Sequence, residues 1–211
     1  MFMTGAKAVV VTAVLVLGVA ALPATPAAAA GWRVAGTNLS GSEPIANPTK
    51  VDESFVLSSA PAGISISCTG LDVENGTIEP PNKDSASSLV LTSCKGNPVC
   101  PLSNERIKTA AVLSEATLEG ALAISVVFRP ESGTRFAEIE FEGAECSLAG
   151  CQPVTGTARA LGPKGQDEHT LQLLTATATE SSKELKIGSS VASLKGSALL
   201  ELESHKPWSL L

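Results

Sequence analysis

From residue 31 onward the chain repeats one texture, in which short runs of alternating apolar and polar residues rich in Val, Ile, Leu and Thr are separated by Gly, Pro, Asn and Ser. A period of two is that of a strand with one face on a core and the other in water. The pattern predicts strands at Ser54–Ser58, Gly63–Cys68, Ser88–Thr92, Ala121–Phe128, Phe136–Phe141, Thr170–Ala178 and Ser197–Leu202, with Ile64, Ile66 and Cys68 sharing one face. Within Asp72–Glu79 the pair Asn75-Gly76 suits a tight two-residue turn, which predicts a hairpin bringing Val73 near Ile78. Near the C-terminus, Gly188 and Gly196 mark turns between consecutive antiparallel strands. Helix is hard to place in this region. Ser103–Leu113 is the best candidate, with Ser103 to cap it, but Thr109 and Val112 suit a strand equally well.

Two breaks interrupt the strand pattern, at 80–84 (Pro-Pro-Asn-Lys-Asp) and at 162–168 (Gly-Pro-Lys-Gly-Gln-Asp-Glu). The piece beyond His169 holds only about four strands' worth of sequence, too little to bury a core alone, so both breaks read as loops within one β-rich domain spanning 31–211. The fold class expected is all-β, an antiparallel β-sandwich, with a closed or partly open β-barrel as the alternative. No fixed-period repeat indicates a solenoid or propeller.

The first thirty residues differ in kind. Lys7 is followed by the apolar run Ala8–Leu22, then Pro23 and Pro26, then four alanines at 27–30. This is the tripartite pattern of a cleavable signal peptide, its apolar part an N-terminal signal helix, with cleavage expected after Ala30. The run is short and Ala-rich for a membrane span, and no later run approaches the roughly 20 residues a spanning helix needs. The expected product is secreted, with no transmembrane segment. Its first cysteine, Cys68, lies far from the cleavage point, which disfavours a lipid anchor.

Charge narrows the partners. The full chain carries 15 basic and 21 acidic residues, and loss of residues 1–30 removes Lys7 and no acid, taking the net charge from −6 to −7. Without a basic cluster to displace counterions, nucleic acid and anionic lipid surfaces are disfavoured. There is no Tyr, and Trp32 and Trp208 stand far apart in sequence, which weakens an aromatic platform for sugars or bases.

Five cysteines remain after export: Cys68, Cys94, Cys100, Cys146 and Cys151. An oxidising destination makes disulfides the default and leaves one thiol over. Sequence proximity favours Cys94 with Cys100, and next Cys146 with Cys151, each closing a short loop with a turn in it. Metal binding is the weaker reading, since no C-x-x-C pair exists.

The succession of Cys68, Leu89-x-Leu91-x-x-Cys94, Cys100-Pro-Leu102, Ile107-x-Thr109, Phe128-x-Pro130-x-x-Gly133-x-x-Phe136, Cys146, Val154-x-Gly156 and Leu194-x-Gly196 before Trp208 resembles a group of uncharacterised exported β-rich proteins of actinobacteria. The likeness spans most of the chain after residue 31, and it implies no activity and no functional residue. Its pattern has Cys146 without a second cysteine five residues later. The departure at Cys151 puts the Cys146 and Cys151 pair in question and raises Cys68 with Cys146 as an alternative, leaving Cys94 with Cys100 as the safest bond.

No catalytic constellation stands out. There is no G-x-S-x-G elbow, and His169 and His205 are the two imidazoles available as a base. In Asp167-Glu168-His169 adjacent side chains would point to opposite faces of a strand, so a solvated loop is the better reading; His205 reads as part of a terminal turn. Glu138, Glu140, Glu142 and Glu145 offer carboxylates for glycoside hydrolysis, yet Glu138 and Glu140 alternate with Ile139 and Phe141 as any wet sheet face does. Asp72-x-Glu74-x-Gly76 lacks an oxygen ligand at its fifth position and fails as a calcium loop. Asn38-Leu-Ser40 and Asn75-Gly-Thr77 match the glycosylation sequon, which carries little weight if the source is bacterial.

No cofactor and no metal are expected. The leading function is a non-enzymatic extracellular or envelope-associated module for interaction or structure. The competing readings are an extracellular hydrolase using carboxylates and a barrel that carries an apolar ligand.

Overall fold

A computed structural model describes residues 31–119, 123–163, 172–177 and 185–210. The expected signal segment, residues 1–30, and the Asp167-Glu168-His169 run lie outside the described residues. All regular structure described is β. In chain order the strands are β1 (Trp32–Val34), β2 (Thr37–Asn38), β3 (Glu43–Pro44), β4 (Lys50–Ser59), β5 (Ile64–Glu74), β6 (Thr77–Glu79), β7 (Lys83–Ala86), β8 (Ser88–Lys95), β9 (Arg106–Lys108) and β10 (Val112–Glu119). They continue with β11 (Ala123–Pro130), β12 (Arg135–Phe141), β13 (Gly150–Thr155), β14 (Ala158–Pro163), β15 (Gln172–Thr177), β16 (Lys186–Ile187), β17 (Ser190–Val191), β18 (Ser193–Leu200) and β19 (Trp208–Leu210).

A 12-stranded antiparallel sheet runs β3-β6-β7-β10-β11-β14-β15-β18-β4-β5-β8-β9, beside a four-stranded sheet β12-β13-β16-β17 and a three-stranded sheet β19-β1-β2. The long sheet runs in a linear order from β3 to β9 with no ladder joining these two end strands, and a sandwich-type arrangement fits it better than a closed barrel. Near its two ends stand the two halves of a single bent hairpin. Val73 pairs with Leu89 and Glu74 with Ser88, and beyond the bend Thr77 pairs with Ser85 and Glu79 with Lys83 in unbroken register. Strands that bend at a corner and pass between layers are a standard way to join the two faces of a β-sandwich.

This corrects the expected hairpin. Asn75-Gly76 is the corner of a bent strand rather than a turn, because β5 pairs with β4 and β8 while β6 pairs with β3 and β7. Asn75 takes the positive φ of 49°, and a Cβ on Gly76 would strike Val73 Cγ1 and meet Ile45 Cβ at 3.3 Å. The reversal itself falls at Pro80–Asn82, where the sequence signals a loop. Ser103–Leu113 contains no helix: β9 pairs Ile107 with Leu91, and β10 begins at Val112. Gly188 does turn the β16–β17 hairpin. Gly196 does not turn; it lies within β18 at a register shift opposite β4, where a Cβ would strike Phe55 at 2.7 Å. Ser197 takes up polar groups beside this irregularity, accepting from the Glu53 amide at 3.1 Å.

The cysteines also pair differently from the proximity reading. Cys68 bonds Cys94, and Cys100 bonds Cys146, leaving Cys151 a free, exposed thiol. Cys94 cannot serve Cys100 because Cys94 is the inward cross-strand neighbour of Cys68 in the β5–β8 ladder. Asn97 turns the following loop away: its Oδ1 accepts from the Cys100 amide at 2.7 Å and its Nδ2 donates to the Gly63 carbonyl at 2.7 Å. Glu142 then donates its amide to the Pro101 carbonyl at 2.8 Å, bringing Cys100 against the segment that carries Cys146. Cys151 stands opposite Glu140 in the β12–β13 ladder with its side chain in water, so neither Cys146 with Cys151 nor Cys68 with Cys146 forms. Two disulfides fit an oxidising, extracellular environment.

The buried side chains fall into two groups. One joins Phe55, Leu57, Ile64 and Ile66 of the large sheet to Phe136, Ile139 and Phe141 of β12. The other gathers Trp32, Ile78, Ile124, Val126, Leu202 and Trp208, with Ile45 and Phe128 packed partly buried against both groups.

Candidate functional site: an apolar chamber between the two cores

Between the two groups lies a chamber of about 130 Å³. Its walls come from both sides: Phe55, Val73 and Phe136 from one core, Trp32, Val126 and Trp208 from the other. Strand alternation builds it. On β10 and β11 Val112, Val126 and Phe128 face inward, and on the bent hairpin Leu71, Val73, Leu89 and Leu91 do the same. Small residues leave the space. Ala86, Ala158, Ala160 and Ala198 are buried at the wall, where larger side chains would have closed it.

One end is closed by the meeting of the described termini. β1 pairs with β19, Trp32 against Leu210 and Val34 against Trp208, so the two indoles meet edge to face with centroids 5.6 Å apart at 72°. Trp32 Nε1 donates to the Lys83 carbonyl at 2.8 Å and Trp208 Nε1 to the Leu200 carbonyl at 3.3 Å. Both rings are buried, so neither offers a stacking platform at the surface.

Two carboxylates, Asp84 and Glu201, and the Arg159 side chain interrupt the apolar lining. Asp84 of β7 lies in an inward row of cross-strand neighbours, Ile78, Asp84, Ser114, Phe128 and Ala158. Its side chain is only half-buried by surface area yet deeply enclosed by protein. It lines the chamber. Desolvation, with a smaller contribution from the charge of Glu79, pushes its pKa up to about 7. No hydrogen bond to this carboxyl occurs among the described residues. Its cross-strand partner Ser114 is buried, and its hydroxyl likewise finds no partner.

The residues singled out from the sequence lie elsewhere. Glu138 and Glu140 are exposed on the outer face of β12, one paired with Arg135 at 3.3 Å and the other accepting from the Ser103 hydroxyl at 2.9 Å. Cys151 lies beside them, and residual desolvation followed by the charges of Glu140 and Glu138 raises its thiol above the usual range, which lowers its thiolate content. Glu142 and Glu145 are exposed. His205, at a positive φ of 53°, pairs Nδ1 with Glu201 Oε1 at 2.5 Å in an exposed turn. Glu74, of the failed calcium pattern, is held below the usual carboxylate range by its hydrogen bonds from Lys108 at 2.7 Å and Ser88 at 2.5 Å. Among the described residues no cluster of His, Cys, Asp or Glu could hold a metal ion, and no helix is long and apolar enough to cross a membrane.

The chamber was hidden from sequence reasoning because its walls read as ordinary core positions. The one signal in the sequence is Asp84, a carboxylate on the inward parity of a strand whose sequence reads as a loop. No family model, no curated protein and no solved structure matches this chain. What defines its class is therefore its own architecture, an antiparallel β-sandwich with an apolar internal chamber.

Proposed function

We propose that this chain is an exported, non-enzymatic binding module that acts outside the cell or at the envelope and takes a small apolar molecule into the chamber between its two cores. The chamber carries this reading. A void of about 130 Å³ lowers stability by about 3 kcal/mol relative to a filled core. Replacing one or two of the wall alanines with larger residues would remove that penalty, so the open space calls for a use. Apolar cavities of about 150 Å³ stay dry and take up benzene-sized ligands. Export is supported by the N-terminal charge and apolar pattern, by the two disulfides and by the resemblance to exported actinobacterial proteins.

The test is titration of the protein with methylenecyclohexane, followed through the methyl resonances of Val73, Val112 and Val126. Saturable shifts are expected in the wild type. They should vanish in Ala158→Leu and in Ala86→Leu, two independent fillings of the wall, with the melting temperature held or raised. Absence of saturable shifts in the wild type, or equal binding by folded filled variants, overturns the reading.

A further inference from the structure

The bent hairpin at Asn75-Gly76 has a counterpart. β11 runs on into β12 and β13 into β14, so the ladders β11–β14 and β12–β13 are two arms of a second hairpin that bends from one sheet to another. The arms join unequally. Between the pairs Phe128–Ala158 and Arg135–Thr155, residues 129–134 on one strand face only 156–157 on the other. The surplus residues loop out at the bend, tied to it by the Gly156 amide, which donates to the Thr134 carbonyl at 3.4 Å. At this corner lies an open cleft of about 550 Å³ that shares no lining residue with the apolar chamber.

Two cations, Arg129 and Lys186, line the cleft, and no carboxylate does. Strand alternation places them: Phe128 packs against the cores and Arg129 after it is exposed, while Ile187 is buried and Lys186 before it is exposed. Lys186 is the direct cross-strand partner of Thr155, which sets their Cβ atoms about 4.5–5.5 Å apart. Lys108, Arg135 and Arg159 are each paired with a glutamate, whereas Arg129 and Lys186 have no side-chain partner among the described residues. The hydroxyls of Thr134 and Thr155, also in the lining, are likewise unbonded there. Gly133 takes a φ of 65° in the loop, and neither its amide nor that of Thr134 donates to another backbone group among the described residues. Glu131, the acid nearest in the loop, lies outside the lining. In a chain with an acidic excess, this corner gathers positive charge and unused donors in one concave place.

We propose that this corner cleft is a second binding site, one that takes a small dianionic oxyanion, a phosphate or sulfate group either free or as the monoester of a small polar molecule. Two cations balance two negative charges. The planar Arg129 guanidinium engages two oxygens of such a group at once, Lys186 acts as a point charge on another, and the threonine hydroxyls donate to what remains. No aromatic ring lines the cleft, so it offers a nucleotide base nothing to stack on. Nucleic acid and anionic bilayers draw on rows of basic side chains, and two cations are too few for either.

The test is titration of the protein with inorganic phosphate at constant ionic strength and about pH 8, where the group carries two charges, followed through the amide resonances of Gly133, Thr134, Gly156 and Thr157. Saturable shifts at these amides are expected. Arg129→Gln and Lys186→Gln should each weaken binding about tenfold, the loss of one charge-assisted hydrogen bond, and since both side chains are exposed the fold should be kept. Lys95→Gln removes an exposed cation elsewhere and should leave the affinity unchanged. Sulfate should compete with phosphate, and acetate, with one charge, should bind about fivefold more weakly or worse. Glucose 6-phosphate distinguishes the source of the group: tighter binding than inorganic phosphate marks a carried ester, and equal or weaker binding marks the free anion. The proposal is overturned by the absence of saturable shifts at about 50 mM phosphate, by full affinity in both glutamine variants at the cleft, by an equal loss in Lys95→Gln, or by acetate binding as tightly as phosphate.

Discussion

Asp84 is the residue whose chemistry departs furthest from that of an exposed carboxylate. Its pKa rises from 3.8 to about 7 because burial penalises the charged form. In the unfolded chain the group loses its proton near pH 4, while the folded protein holds it to about pH 7. Over that window the folded state binds more protons than the unfolded one, so stability is greatest below about pH 4 and falls as pH rises to 7. A shift of this size corresponds to about 4 kcal/mol at most. Urea unfolding of the wild type should therefore show a loss of stability between pH 5 and 8. Asp84→Asn should remove that part of the slope and be the more stable protein at pH 8. Equal slopes in the two proteins would mean that the carboxyl faces water. A carboxylate in a polar loop is how 80–84 reads in the sequence, and only the course of the bent hairpin turns Asp84 inward.

At the scale of elements, two features depend on strands meeting far along the chain. Gly196 stands where β18 crosses Phe55, with φ at 150°, a value that side-chain-bearing residues rarely adopt, and with Phe55 Cα 2.8 Å from where a Cβ would sit. Gly196→Ala should lower stability by about 1–3 kcal/mol through overpacking, measured as a drop in the urea midpoint with unchanged slope. The Cys100–Cys146 bond closes a segment 46 residues apart in sequence and stabilises by about 4 kcal/mol on loop entropy. The double substitution Cys100→Ser with Cys146→Ser should lower the melting temperature by several degrees, whereas Cys151→Ser should leave it within a degree. A large effect at Cys151 would place that thiol in the framework. Strand positions such as Ile64, Ile66 and Cys68 follow from alternation alone, and all three are buried. The partner of Cys94 does not follow from proximity, because register with β5 decides it.

For the molecule as a whole, the pairing of β1 with β19 matters most. It joins the described termini, places Trp32 against Trp208 and closes one end of the chamber. Truncating a buried tryptophan typically costs about 3–5 kcal/mol. Trp208→Ala should therefore destabilise strongly and also weaken methylenecyclohexane binding, since it opens the wall. Trp208→Phe should recover most of the stability. Binding unchanged in a folded Trp208→Ala protein would show that the tryptophan pair does not bound the chamber.

Alternation is a local property read within a few residues, so it was enough to give the all-β character, most strand positions and the buried faces of β5 and β12. Hydrophobic pattern alone also marked the reversal at 80–82 as a break, though not as the end of a hairpin. The disulfide partners, the bend at Asn75-Gly76, the role of Gly196 and the contact of the two tryptophans emerge only when distant strands meet. Each of these depends on register between strands distant in sequence, which no local pattern encodes. The chamber is the extreme case: it is the space left when about two dozen side chains from most of the strands fail to meet, and so belongs to no segment of the chain.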